Sequence, residues 1–454
     1  RLNRGNFDAA RDSAEKALRA YQAALPDDAL RAARAKSAIG SALIELADYP
    51  LAKSHLVEAV DALRPLGEPA HLAQALQRLS AAVRIVDGLE PAIALQQEAL
   101  ALQRAHLAPG DPDVGDTLRG LAVLYEESQR YDEAERAHRE SLEAMRPWGD
   151  RHPSVLRAKS HFAGLLDRVG KRDESKALFE EALAGQLRVF GADGKDTAET
   201  QFHYGIFLSG TRDHEGAERA YRGVIANAGA TPILHAHAHR YLGIALTSQQ
   251  RYGDAVEPLR TAEDQYAVLF GALDGQRFRA QANRGYAMSR AGDPVGVLVQ
   301  REAVEGIAKA IGPEAYELIK PLVQLGQCER DAGHARDALA AHERALAIAT
   351  KAVGAEHVMT HEAQYEIARD AVSLDGAARA RARTLLDTAS AARRERDDAG
   401  VLGAYLLASA RLAQASGEGE RAQREAAEAV RILEAMYPAT QQQVIEARGL
   451  LKSL

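Results

Sequence analysis

Cysteine is nearly absent from this 454-residue chain. The single thiol, Cys328, excludes an intrachain disulfide framework and any thiolate-rich zinc site. Tryptophan occurs once, at Trp148, and aromatics make up only 5% of residues, too few for a stacking platform that holds single-stranded nucleic acid. A dominant charge is missing as well. The 57 Lys and Arg against 64 Asp and Glu leave a net charge of −7, which argues against global attraction to nucleic acid or an anionic membrane. The longest nearly apolar stretch, Val401 to Ala410, is about half of what a bilayer span needs. No segment alternates with period two over a useful length, so no sheet is expected. Neither a phosphate-binding Gly-x4-Gly-Lys-Ser/Thr loop nor a Gly-x-Gly-x-x-Gly fingerprint occurs. No nucleophile–base set or carboxylate pair converges on an active site, so no catalysis and no cofactor is expected of these residues.

What is present is a repeat. Gly120-Leu121-Ala122-Val123-Leu124-Tyr125 followed by Arg130-Tyr131-Asp132-Glu133-Ala134 returns as Tyr241-Leu242-Gly243-Ile244-Ala245-Leu246 followed by Arg251-Tyr252-Gly253-Asp254-Ala255. Each copy is an apolar helical stripe, a tight turn, and a second helix carrying a small residue in its second turn. Those small residues are Ala10, Ala52, Ala92, Ala134, Ser175, Ala217, Ala255, Val297, Ala338, Ala380 and Ala422, spaced by 38 to 42 residues. Twelve positions before each lies another small residue in many copies (Gly40, Ala122, Gly205, Gly243, Gly285, Gly326), which lets two helices approach closely. Three before it, Phe7, Tyr49, Tyr131 and Tyr252 are placed to wedge the turn. Between pairs come Gly-, Pro- and Asp-rich loops such as Gly149-Asp150-Arg151-His152-Pro153, with Pro suited to the first turn of the next helix. Amphipathic pairs of this kind bury their stripes only by stacking on one another.

The pattern Leu118, Leu121-Ala122, Tyr125, Tyr131, Ala134, Ser141 resembles the tetratricopeptide repeat, and the ~42-residue period with the His152-Pro153 linker resembles its kinesin-light-chain-like subclass. The resemblance implies an all-α, right-handed superhelical solenoid. One array over residues 1–454 is expected: a half repeat at 1–25, ten full repeats over about 33–436, and a capping helix at about 440–454. The Ala- and Arg-heavy usage points to a bacterial source. The paired Asn residues that mark the inner helices of kinesin light chains are replaced by Arg119-Gly120, Ser160-His161 and Phe202-His203, with Asn283 alone retained, so kinesin cargo recognition is not expected. The Lys and Asn of a carboxylate clamp are missing too.

The resemblance further implies that the first helix of each pair lines a concave groove, through positions 18, 15, 11, 8 and 7 before each marker. Twelve bases fall there: Arg34, Arg84, Arg119, Arg157, Arg168, Arg240, Arg279, Arg290, Lys320, Arg330, Arg369 and Arg411. Eight acids do: Glu45, Asp116, Glu126, Glu127, Asp167, Glu199, Asp331 and Glu362. Phe202 and Tyr286 fall on the same face. Two readings stand side by side. The bases pair with groove carboxylates in a solvated face, or their excess of four, with the aromatics, receives an acidic peptide through bidentate Arg contacts. On the second reading Arg84, Arg119, Arg157, Phe202, Arg240, Arg279, Tyr286 and Arg290 carry the site.

His235 and His239 stand i, i+4 on one helix face, the spacing of two imidazole ligands, although structural histidines explain them as well. Cys328 beside Leu325-Gly326 reads as a buried, inert thiol. The function expected is a non-catalytic scaffold for a peptide or protein segment, acting as a monomer or weak dimer, without nucleic acid or membrane contact, in the cytoplasm. The alternative is the C-terminal sensing arm of a larger bacterial signalling protein, such as a Ser/Thr kinase or a transcriptional regulator. The start inside a repeat, without Met, motivates it, and a membrane span upstream would place the arm outside the cytoplasm.

Overall fold

The computed structural model describes residues 28–454 except 109–110, 396–398 and 440, together with Asp12, Lys16 and Arg19. The expected half repeat at 1–25, with Phe7 and Ala10, lies outside the described residues but for those three positions. The described residues form twenty-one α-helices, a few short 3-10 turns and no strand. They fall into two compact units, 1–211 with 227–230, and 212–226 with 231–454.

The first unit holds α1 (Ala29–Glu45), α2 (Tyr49–Leu63), α3 (Pro69–Val86), α4 (Leu89–His106), α5 (Pro112–Glu127), α6 (Tyr131–Ala144), α7 (Pro153–Arg168), α8 (Arg172–Phe190) and α9 (Lys195–Gly210). Within it α1 packs on α2, α3 on α4, α5 on α6 and α7 on α8 as helical hairpins, each hairpin stacked on the next. The second unit holds α10 (His214–Ala226), α11 (Pro232–Ser248), α12 (Tyr252–Phe270), α13 (Gly275–Arg290), α14 (Val295–Ile311), α15 (Ile319–Asp331), α16 (Ala335–Val353), α17 (Val358–Ala371), α18 (Gly376–Glu395), α19 (Ala399–Ala415), α20 (Gly419–Met436) and α21 (Gln442–Ser453). Hairpins α11–α12, α13–α14, α15–α16, α17–α18 and α19–α20 stack in order, and α21 closes the last one by burying Val444, Ala447 and Leu450 against α19 and α20.

The turn inside most hairpins follows one rule. Five residues before the small marker the backbone turns left-handed, at Ala47, Gln129, Gly170, Arg212, Gln250, Gly292, Gly333 and Gly417. The residue after it returns a hydrogen bond five positions back, as in Arg130 N to Tyr125 O at 2.8 Å and His334 N to Glu329 O at 2.8 Å. This is the Schellman closure, which satisfies carbonyls that a helix end would otherwise leave unpaired. Side chains cap the starts: Asp28 accepts from Arg31 N at 3.0 Å, Thr231 from Leu234 N at 3.3 Å, and Asp274 from Gln276 N at 2.7 Å.

Ala52, Ala92, Ala134, Ser175, Ala217, Ala255, Ala338 and Ala422 are fully buried, and Val297 nearly so. Ala380 is not. It is exposed, and Ala378 and Ala382 take the buried places in α18. The Ala-Arg alternation from Ala377 to Ala382 offers small residues at several registers, which left the phase of that repeat unreadable.

The partner of the small residue twelve before the marker is the side chain four after it. A Cβ added at Gly40 would lie 2.4 Å from Leu56 Cγ, one at Gly243 2.3 Å from Leu259 Cγ, and one at Gly326 2.4 Å from the His342 ring. The α13–α14 hairpin goes further, because there backbone meets backbone. A Cβ at Gly285 would lie 2.7 Å from Gln300 N, and one at Gly296 2.3 Å from Ser289 N and 2.7 Å from Gly285 O. This explains the departures at Pro294 and Val297: helices this close leave no room for the usual aromatic wedge. Gly296→Ala should therefore destabilise the protein by about 1–3 kcal/mol or more through overpacking. Gly253→Ala, with nothing within 4 Å of the added Cβ, should be neutral or stabilising by up to about 1 kcal/mol. Urea unfolding of the two variants beside the parent chain measures the contrast.

Candidate functional site

The first helices present their polar face in each unit, and the charges there are set by the repeat period. Arg157 on α7 reaches Asp196 on α9 at 2.9 Å, Arg290 on α13 reaches Asp331 on α15 at 2.6 Å, and Arg330 on α15 reaches Asp370 on α17 at 2.8 Å. Arg279 meets Glu317 at 3.0 Å, Arg411 meets Glu446 at 2.7 Å, and Arg84 pairs with Glu127. Each guanidinium spans to a carboxylate about one repeat later. Arg119 instead turns to Asp116, one turn back on its own helix, at 3.3 Å. The carboxylates Asp196, Glu317, Glu366, Asp370 and Glu446 all serve these bases, though none was among the eight acids counted from the sequence. They more than cancel the expected excess of four bases. For most of these arginines the solvated, paired reading holds.

The deepest pairing lies in the second unit. Burial pushes the Glu366 carboxyl up, but Arg330, Arg369 and His342 outweigh it and hold it below the usual carboxylate range. His342 contacts the fully buried Asp370 at 2.5 Å and Val323 O at 3.0 Å, beneath the glycine at 326.

Recesses interrupt the paired surface, among them one in each unit. That of the second unit has a volume of about 540 Å³ and is walled by α11, α13, α15 and α17. Arg240, Arg279 and Tyr286 of the expected set come together here, with Asn283, Lys320 and Glu362. The Arg240 guanidinium lies 4.9 Å from the centre of the Tyr241 ring, near the Tyr266 hydroxyl, and leaves a buried Nε without a partner. Among the described residues neither Arg240 nor Lys320 has a carboxylate within ion-pair distance. Burial raises the Glu362 carboxyl and pushes the Tyr286 hydroxyl up to about 12. Tyr252, Tyr316, Ile244 and Met359 add apolar surface to the walls.

The recess of the first unit has a volume of about 330 Å³, between α5, α7 and α9, with Gln186 of α8 at its base. Arg157 is at its rim. Ser160 and Thr200 hydrogen-bond each other at 2.9 Å. His161 and His203 open to water on one side and are walled by protein on the others. Burial, then the charges of Arg119, His138, His203 and Arg157, push His161 down to about 4, and burial lowers His203 as well.

The other expected site residues fall elsewhere. Phe202 is buried at 7% exposure and is a core residue, not a groove anchor. Its position, fifteen before the marker, lies where the first helix meets its neighbours. Small or apolar residues there turn inward (Ser37, Ser160, Ala282, Val323), whereas Arg119 and Arg240 reach the surface. Arg84, Arg119 and Arg290 line neither recess. His235 and His239 share a face of α11, but no third ligand group joins them among the described residues. The one grouping there with ligand spacing is Glu329, His334 and Asp337. Arg301 already fills it, bonding Asp337 at 2.8 Å and pairing with Glu329. Cys328 is buried, and its thiol is pushed up to about 11 by burial. Gln186 had no sequence signal, because it belongs to a second helix. No described helix is long and apolar enough to cross a membrane.

Tetratricopeptide-repeat models match residues 71–146 and 155–194. The chain carries tetratricopeptide repeats. Among solved structures it is similar to RapI in its apo form, at TM-score 0.56 and 10% identity over 77% of this chain and 98% of that one. It is also similar to the apo quorum sensor NprR from B. thuringiensis, at TM-score 0.56 and 12% identity over 76% of this chain and 99% of that one. At such identities the likeness is one of fold. No curated protein matches the sequence.

The histidines of the first recess carry a pH consequence. Unfolded, His161 takes up a proton near its ordinary 6.5, whereas folded it resists until about 4. Between those values the unfolded chain binds more protons, so stability falls as pH drops through this window. His161→Gln should flatten the fall of the urea midpoint between pH 6.5 and 4, and an unchanged slope would show that other groups set it.

Proposed function

We propose that this tetratricopeptide-repeat protein is a non-catalytic scaffold that captures a peptide or protein segment on the first-helix face, with the recess of the second unit as the anchoring point. The observation that carries the reading is the pair of cations left over at that recess. Along the rest of the face most arginines pair with carboxylates, whereas among the described residues Arg240 and Lys320 border the recess of the second unit without an ion pair. An Asp or Glu of the ligand would meet them, while an adjacent aromatic or aliphatic side chain packs against Tyr252, Tyr286 and Ile244. Buried anchors with a few aimed polar groups dominate the affinity of such contacts. Asn283 and Gln324 add amides for a peptide backbone.

The acidic segment thus rests on two named cations, not on the net charge of the groove. The shared fold with the quorum sensor NprR supports a ligand-reading role, and the sensing arm of a larger signalling protein would use the same recess.

The test is selection from a random peptide display library on the full chain. Enriched peptides should carry an acidic residue beside an aromatic or aliphatic one. Lys320→Glu and Arg240→Gln should each weaken a selected peptide by about tenfold, or about 1.4 kcal/mol, with helical content unchanged. Binders that lack acidic residues, or that ignore both substitutions, would refute the charge recognition. Failure to enrich any peptide would refute the peptide groove.

A further inference from the structure

Gln186 poses a problem that the fold does not solve. Its side chain has 0% exposure, and both Nε2 and Oε1 are buried without a hydrogen-bond partner. Among the described residues no other side-chain amide is orphaned at both atoms. Gln300, equally buried, donates from Nε2 to Pro321 O at 3.1 Å. Buried polar groups are nearly always paired, and an exception needs a cause.

The repeat shows that the fold does not require glutamine here. One repeat earlier the equivalent place holds Met145, fully buried. Two repeats earlier it holds Gln103, whose Oε1 accepts from Thr117 Oγ1 at 2.7 Å. In α12 it holds Tyr266, whose hydroxyl meets His237 Nδ1 at 2.6 Å. The place accepts an apolar residue or a paired polar one. At Gln103 Nε2 alone lacks a partner, whereas at 186 both amide atoms do, and Gln186 also borders the recess of the first unit. Of the polar groups around it, Thr200 donates to Ser160 and Arg157 donates to Asp196. The amide thus borders the recess with a donor and an acceptor side by side, both unpartnered and both closed to water until a ligand draws the side chain towards it. Arg168, which has no ion pair among the described residues, and Glu199, 3.8 Å from Lys195, supply opposite charges on the walls.

We propose that the recess of the first unit is a second binding site, which takes a ligand by its carboxamide or peptide amide, with Nε2–H and Oε1 of Gln186 paired to the ligand's C=O and N–H. The complementary edge of an amide satisfies both orphaned atoms at once, which a carboxylate or an ammonium cannot do. The rim charges suit the carboxylate and ammonium of a free amino acid. A short, uncharged chain segment presents the same amide edge without them.

The test titrates the full chain with L-glutamine, with the capped dipeptide N-acetyl-glycyl-glycinamide, and with L-norleucine, whose side chain lacks an amide. Saturable binding of either amide probe, absent for norleucine and at least tenfold weaker in Gln186→Met, is the expected result. Binding of glutamine alone assigns a free amino-acid amide, and binding of the capped dipeptide assigns a peptide bond. Gln186→Met should fold with an equal or higher melting temperature, because the same place one repeat earlier is Met145 and two unpaired polar atoms are removed. The proposal is overturned if neither amide probe binds, if norleucine binds as well as they do, or if Gln186→Met binds like the parent. Lys320 and Arg240 play no part in this test, so its outcome is independent of the peptide groove.

Discussion

The close approach of two helices at one small residue is the constraint on which the remainder of this structure depends. A first helix can press its backbone against the second only where Cβ is absent or minimal, and the second helix then inserts the side chain four after its own marker. Gly40 with Leu56, Gly243 with Leu259 and Gly326 with His342 repeat the same contact. Fixing that contact fixes the rotation of both helices about their axes, because residues three and four apart share a face. The left-handed turn five before the marker fixes the entry of the second helix. Once rotation and turn are set, every other position of the repeat has a determined environment, and a solvated first-helix face follows without further instruction.

That face inherits a period as well as an orientation. An arginine near one end of a first helix looks across to the helix one repeat later, so carboxylates about forty positions downstream become its partners. Individually such exposed pairs stabilise little. Their effect on recognition is larger, because an arginine already bonded to Asp196 or Asp331 offers less to a ligand than its formal charge suggests. The groups that can act are those the period leaves over. Arg240 has an aromatic and a phenol where its counterparts have a carboxylate, Lys320 has no ion pair among the described residues, and Gln186 has a buried amide without a partner. Function on this scaffold is best sought where the repetition of partners fails.

Much of this was legible in the sequence. The spacing of Ala52, Ala92, Ala134 and their successors identified hairpins whose markers are buried, because a small residue in a tight crossing has no substitute. The alternation at Ala377 to Ala382 defeated the same reasoning, since several small residues could fill the crossing and only packing chose Ala378. Phe202 was misplaced for a different reason. Its position is a boundary at which the side chain itself decides between surface and core, and a phenylalanine chooses the core. The carboxylates that neutralise the groove were missed because they stand at other repeat positions than the arginines they serve. Long guanidinium stems reach across helices, so the charge of a face cannot be counted from the residues assigned to it.

Gln186 shows where repeat logic stops and chemistry specific to one place begins. Eleven residues after the marker, the chain has used glutamine, methionine and tyrosine, all buried, in hairpins of one geometry. A position so permissive in kind cannot be read from pattern, because the pattern demands only that it be filled. Its meaning comes from the neighbours: Thr117 gives Gln103 a partner, His237 gives Tyr266 one, and at 186 the two hydroxyls within the recess bond each other. A solenoid can carry such exceptions cheaply, since each hairpin contacts only its neighbours and the strain of one unsatisfied amide stays local. That locality lets a single repeat depart from the consensus and become a site while the rest of the stack holds its shape.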